Sequence, residues 1–132
     1  IIEQNKDVPK MVSKIIAYHT TINHNHDVIK TVEEYEEASK TWDTDRKAIE
    51  ETYFLFNFFN ALADGINRGV YDEDLIRINF ERDIKLFYRY SAPYLRSLRF
   101  SVDSDEMFLK IEFLIREWDE KKPKKKKVTF FA

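Results

Sequence analysis

Residues 48–74 read AIEETYFLFNFFNALADGINRGVYDED, and this stretch decides the fold. Its first nineteen residues contain no proline, and its apolar side chains recur at steps of three and four residues, which is helical spacing. The residues on this spacing are Ile49, Tyr53, Phe56, Phe59, Leu62 or Ala63, and Ile66. Because Phe54, Leu55 and Phe58 add a second apolar face, little of the helix can face water. The pattern predicts a central helix over residues 45–68, covered by neighbours on at least two sides.

The end of this helix is also encoded locally. Gly69 suits the left-handed position that follows a helix, and Arg68 in the last turn complements the helix dipole. Asp72 can then accept a hydrogen bond from a free backbone N–H at the start of the next helix. These residues predict a tight corner between two antiparallel helices.

Composition points to one mostly helical domain. The chain has 132 residues, of which 43% are hydrophobic and 15% aromatic, so it can bury a sizeable core. Two glycines and three prolines are too few for a fold with many tight turns. The absence of cysteine excludes disulfides and thiol chemistry.

The charges are segregated along the chain. The formal net charge is −2, but residues 1–120 carry 16 basic and 24 acidic groups, a net charge of −8. The remaining positive charge lies in a tail without acidic residues, at Lys121, Lys122, Lys124, Lys125, Lys126 and Lys127. We therefore predict a folded domain over residues 1–120 and a basic, flexible tail over residues 121–132.

Four further helices complete the prediction. Asp7 and Pro9 suit a helix start, and the first helix should end near Tyr18 or His19. A second helix should run from Val28 to Thr41 or Trp42, with Asp43 or Thr44 capping the central helix.

The fourth helix should end at Ala92, because Pro93 disfavours helical geometry at the residue before it. Ser101 or Ser104 can cap a last helix. Its apolar stripe is Met107 or Phe108, Ile111, Leu114, Ile115 and Trp118. The predicted fold is all-α, an up-and-down bundle of four to five helices around the aromatic-rich central helix.

Two stretches, FNFFNALADGINRGVYDED (residues 56–74) and RYSAPYLRSLR (residues 89–99), carry a resemblance to a known family. The chain resembles a bacterial family of unknown function, whose small proteins carry a membrane helix near the N-terminus ahead of a helical domain. The matching residues are Asn57, Gly65, Gly69, Tyr71, Asp72, Glu73, Pro93 and Tyr94, while Asn60 stands where the family usually has glutamate. The resemblance implies a helical fold and a setting close to a membrane. It implies no activity.

A polar seam interrupts the central helix. Asn57, Asn60, Asp64 and Asn67 recur at three- and four-residue steps, and Arg68 adjoins them. Buried amides must be hydrogen-bonded, so the seam can fix the helix against its neighbours. Alternatively, Asn57, Asn60, Asp64 and Arg68 line a ligand-binding pocket.

The weak metal-ligand candidates are His19, His24 and His26. A dedicated zinc site needs ligands on fixed elements, and His24 and His26 are spaced so that they point apart on a helix. Histidines of a polar loop are the simpler interpretation.

The lysine tail has three interpretations: a solubilising end, an anchor for anionic lipid or nucleic acid, and an import-like signal. Each lysine near an anionic membrane contributes about 1 kcal/mol, but the acidic domain opposes binding to nucleic acid.

No glycine-rich phosphate loop, nucleophile motif or zinc-ribbon spacing is present, so we predict no cofactor and favour a non-enzymatic function. We expect an interaction module that binds a protein partner or itself. A ligand-binding or enzymatic domain is the alternative, and lipid or nucleic-acid binding by the tail is the third. We expect a cytoplasmic location. Because the chain begins at Ile1 and not at methionine, a membrane tether upstream of Ile1 is a further expectation.

Overall fold

The computed structural model describes residues 7–22 and 32–121, and these residues form five α-helices and no strand. The helices are α1 (Val8–Ile22), α2 (Val32–Thr44), α3 (Arg46–Asn67), α4 (Glu73–Ser101) and α5 (Leu109–Glu120). The predicted all-α class is confirmed. The prediction of a separate tail stays a prediction, because Lys121 alone of its residues is described.

The predicted central helix is α3, which packs against each of the other four helices. Leu55, Phe56 and Phe59 are completely buried, as their spacing predicted. The Phe59 ring lies near the Phe80 ring of α4, while the Phe56 ring lies near that of Phe87, at centroid distances of 6.3 and 4.6 Å. Since partners later in α4 face residues earlier in α3, these two helices are antiparallel.

Helix α5 returns antiparallel to α4. The Trp118 indole near the end of α5 bonds Glu73 at the start of α4, and Arg99 near the end of α4 bonds the Met107 carbonyl just before α5. Helices α3, α4 and α5 therefore follow one another up and down, as predicted.

The corner after α3 has the predicted form. Gly69 adopts a φ of +77°, the Gly69 N–H donates to the Ile66 carbonyl, and the Val70 N–H donates to the Gly65 carbonyl. This bond pair is the glycine-ended helix terminus expected from the sequence. The Asp72 carboxylate accepts from the N–H groups of Asp74 and Leu75, at 3.0 and 3.2 Å, and so caps α4.

The predicted end of the fourth helix at Ala92 is wrong, because α4 runs through Pro93 to Ser101. Proline lacks the N–H that would bond the carbonyl four residues earlier, a loss that usually kinks or ends a helix. Here Pro93 is buried, and its neighbours Tyr94 and Leu95 are 8% and 1% exposed. Burial of this apolar turn offsets the missing bond, a long-range effect that local rules omit.

The predicted caps of α3 and α5 are also wrong. Ser101 is the last residue of α4. The Ser104 hydroxyl accepts from the Glu106 N–H in the segment between α4 and α5, before α5 begins. The N-cap of α5 is Phe108, in the left-handed region at a φ of 59°. Residues 43 and 44 belong to α2, and Asp45 takes the N-cap position of α3 without a side-chain cap bond.

Helix α1 continues past His19 to Ile22. The start of the second helix between Val28 and Thr31 lies outside the described residues. Among residues 7–22 and 32–121, none of the helices combines the length with the apolar character needed to cross a bilayer.

Candidate functional site

The four ligand candidates, three seam residues and the adjoining Arg68, have different environments. Asn57 is exposed, and the buried Asn60 Oδ1 has no hydrogen-bond partner among the described residues. The Asp64 carboxylate lies 2.9 Å from Arg68 Nε and 2.9 Å from Lys110 Nζ of α5. The structure therefore joins Asp64 and Arg68, one turn apart, and adds a lysine that the seam does not contain. A ligand site at these residues stays a prediction.

Asp64 connects α3 to α5. The hydrogen bonds from Lys110 and then Arg68 hold the pKa of its carboxyl below the usual value. Lys110 is itself part of the wall of an open groove beside this pair. Asp64 thus holds one edge of that groove without lining it.

The α3–α5 groove has a volume of about 520 Å³. The residues that line it are Ala63, Ile66 and Asn67 of α3, and Lys110, Phe113, Leu114, Arg116, Glu117 and Glu120 of α5. Phe113 is 54% exposed, and the Arg116 guanidinium lies 5.7 Å from the centre of its ring. A volume of this size lies within the range of ligand-binding clefts, which is roughly 300–1,000 Å³.

The charges along the α5 wall of the groove differ between its two ends. Lys110 lies toward the start of α5, while Glu117 and Glu120 lie toward its end together with Arg116. Apolar side chains of Ile66 and Phe113 lie between them. The groove can therefore take an apolar side chain at its centre and opposite charges at its two ends.

A buried network fixes the end of α5 beside the groove. Arg77 is 9% exposed; its Nε and Nη2 donate to the two oxygens of Glu81 at 2.8 and 3.1 Å. Its Nη2 also donates to the carbonyls of Trp118 and Lys121, at 2.7 and 2.9 Å. The bond from Arg77 lowers the pKa of the Glu81 carboxyl. Arg77 thereby satisfies free carbonyls at the end of α5 and positions Lys121, the first residue of the lysine tail.

His19 lies in the core, so its interpretation as a loop histidine is wrong. It is completely buried in α1, and its Nε2 lies 3.0 Å from Thr52 Oγ1. Because the Thr52 hydroxyl donates to the Ala48 carbonyl at 2.8 Å, it accepts from His19. Burial lowers the pKa of His19 to about 4. His19 is therefore a neutral core residue, packed near the rings of Trp42 and Tyr94.

The other two histidines, His24 and His26, lie outside the described residues, as do the tail lysines Lys122 to Lys127. Among residues 7–22 and 32–121, no cluster of three or more histidine, aspartate or glutamate side chains is arranged to hold a metal ion.

A second polar cluster ties α4 to the first turn of α5 and to the segment just before it. The Tyr88 hydroxyl donates to the Glu112 carboxylate, which also lies 2.9 Å from Arg99 Nη1. Burial and then this hydrogen bond raise the pKa of Tyr88. Arg99 Nε donates to the Met107 carbonyl at 2.9 Å. This cluster sets the position where α5 begins.

Sequence reasoning missed Phe113 and Arg77. A signal for Phe113 was present, since it is a large aromatic residue off the apolar stripe of an amphipathic helix. Arg77 had no such signal, because periodicity does not indicate which charged side chain a neighbouring helix will cover.

The fold and the groove describe a small helical domain with an open apolar cleft. Residues 2–118 match the model of the domain of unknown function DUF4760. The chain belongs to this family, which agrees with the expected family of unknown function. No curated protein matches the chain, and no solved structure matches it.

Proposed function

We propose that this domain is a non-enzymatic interaction module whose binding surface is the α3–α5 groove. One observation carries the proposal: Phe113, a large aromatic residue, is 54% exposed at an open cleft with an apolar centre. Aromatic residues, phenylalanine among them, are enriched in protein interfaces, and a few anchors that fill pockets carry most of the binding energy there.

The groups whose pKa values are raised or lowered chiefly by burial lie away from the groove, which supports binding over catalysis. Catalytic sites gather such groups in a cleft. His19 and Tyr94, whose pKa values burial moves to about 4 and about 12, are core residues and do not line the groove. The apolar centre of the groove suits a side chain of a protein partner.

Site-specific photocrosslinking in cells tests this proposal. A photoreactive phenylalanine analogue is placed at position 113, and a matched control carries it at Phe100, which is 83% exposed on α4 and does not line the groove. We expect a discrete crosslinked protein species from position 113 and none from position 100. Identical patterns at both positions, or no crosslinked species at all, would contradict the proposal.

A membrane-tethered cytoplasmic location is the second part of the proposal. It is supported by the sequence resemblance to proteins with a membrane helix ahead of the helical domain, and by the lysine tail. Reading the gene upstream of Ile1 tests the tether, since a spanning helix requires about 20 apolar residues. Sedimentation with anionic and neutral vesicles tests the tail: binding should require anionic lipid and disappear when the five lysines among residues 122–127 are changed to glutamine.

A further inference from the structure

Two oppositely charged residues of α5, Lys110 and Glu117, lie equally far along the chain from the pair Phe113 and Leu114, while Arg116 lies beside Glu117 on the same groove wall. Lys110 lies three residues before Phe113, and Glu117 lies three residues after Leu114. Residues three and four apart share a helix face, and all four of these line the α3–α5 groove. A cation and a carboxylate therefore lie at equal distances on either side of an apolar pair.

We infer that a second copy of this chain occupies the groove, with the two α5 helices antiparallel about a twofold axis between Phe113 and Leu114. The inference rests on the proposed interaction function and identifies the partner. In a twofold contact, residue i meets residue j and residue j meets residue i. Leu114 is 5% exposed, so it offers the second copy only the small part of its side chain that lines the groove. When Phe113 faces Leu114 of the second copy, Lys110 faces Glu117 of the second copy, and both pairs form twice.

The opposite orientation is disfavoured by charge. A parallel pair of α5 helices would place Lys110 against Lys110 and Glu117 against Glu117, which repel each other. Complementary charges select orientation and register more than they add affinity. The apolar centre supplies attraction, and the charges specify the antiparallel arrangement.

Both charged groups are accessible to a second copy. The Lys110 side chain is 49% exposed, and within the described part of the chain its one close charged contact is Asp64, so its ammonium has donors left for another carboxylate. The Glu117 side chain is 51% exposed and lies 3.4 Å from Lys121, its neighbour one turn on. Exposed pairs of this kind contribute little, so Glu117 can exchange that partner at small cost.

The groove also suits the aromatic ring that the second copy presents. The groove has a volume of about 520 Å³, and Ala63 and Ile66 in its wall offer apolar contact to the ring. In the twofold arrangement each Phe113 ring enters the groove of the other copy. A contact centred on one helix pair is small, so the dimer should dissociate on dilution.

Sedimentation velocity over a dilution series tests the inference through a charge swap. Lys110→Glu and Glu117→Lys should each weaken the dimer at least tenfold, because each opposes like charges across the axis. The double variant Lys110→Glu/Glu117→Lys should recover most of the affinity. Lys110→Glu also breaks the pair between Lys110 and Asp64 within one chain. Because Glu117→Lys does not restore that pair, affinity regained in the double variant must come from the contact between the two copies. Circular dichroism checks that each variant remains helical.

A second pair of variants tests the apolar centre. Phe113→Ser should shift the chain to monomer across the dilution series, whereas the matched Phe100→Ser should leave dimerisation unchanged. A dimer that persists in Phe113→Ser, or a double charge variant as weak as the single ones, would overturn the inference. A chain that stays monomeric at every concentration would also overturn it. If position 113 nevertheless crosslinks to a different protein, the interaction function stands while the second copy is wrong.

Discussion

The Tyr71 ring lies directly against Gly65, where a Cβ added to the glycine would approach two ring carbons to 2.3 Å. The Gly65 carbonyl also accepts from the N–H groups of Val70 and Tyr71, at 2.8 and 3.2 Å. A glycine inside a helix costs roughly 1 kcal/mol relative to alanine. The close approach of the Tyr71 ring explains why glycine nevertheless occupies position 65. Gly65 allows the chain to fold back over the end of α3.

Gly65→Ala should therefore destabilise the protein by about 1 kcal/mol, although alanine is the better helix former. The methyl group displaces Tyr71 and disturbs the corner that it closes. In a Tyr71→Ala background the same change should instead stabilise by up to about 1 kcal/mol, because the clash is gone. Urea unfolding of the four proteins measures this coupling. Equal effects of Gly65→Ala in both backgrounds would contradict the assignment.

His19 should make stability depend on pH. Its pKa is about 4 in the fold and about 6.5 in an unfolded chain, so the fold favours the neutral imidazole. The contribution of His19 to the free energy of unfolding is fully present above pH 6.5 and is lost as the pH falls toward 4. The whole loss amounts to about 3 kcal/mol. Urea unfolding at pH 7.5 and 4.5 should show this loss in the native sequence and in His24→Gln and His26→Gln. In His19→Leu the drop in the free energy of unfolding between these two pH values should be much smaller. An unchanged drop would mean that other titrating groups cause it.

The two fully buried phenylalanines of α3 should contribute far more to the free energy of unfolding than an exposed phenylalanine does. Phe56→Ala and Phe59→Ala should each cost about 3–5 kcal/mol, because both remove a ring from the packed core. Phe113→Ala, which removes a ring that is 54% exposed, should cost the monomer less than about 1 kcal/mol. Chemical denaturation at a concentration where the chain is monomeric compares them. Losses of less than about 1 kcal/mol at both Phe56 and Phe59 would contradict their assignment to the packed core.

Arg77 should be the most sensitive charged residue. Arg77→Gln removes the guanidinium that bonds Glu81 and the carbonyls of Trp118 and Lys121, of which Glu81 keeps Lys85 as a partner, and should cost about 3 kcal/mol. Hydrogen exchange should accelerate first at the end of α5.

Lys85→Gln is the matched control, since Lys85 also contacts Glu81 but its side chain is 31% exposed. It should cost less than about 1 kcal/mol. If the two variants lose equal stability, the carbonyl bonds of Arg77 contribute nothing measurable.

Features set by neighbouring residues were predictable from the sequence. The spacing in residues 48–66 specified α3 because three- and four-residue steps define a helix face within one segment. Gly69 and Asp72 specified the corner because a left-handed turn and a capping carboxylate act over a few residues. The polar seam was visible for the same reason, although its separate environments were not.

Other features were decided by tertiary structure. Pro93 stays inside α4 because distant helices bury the turn around it, and Arg77 and His19 are buried because other helices cover them. The groove beside Phe113 exists because α5 packs along α3 while leaving that ring in solvent. A single segment encodes its own period and its caps, but the covering of each face depends on which elements meet. The sequence alone therefore determined the class of fold and the corner, and only the assembled bundle determined the candidate site.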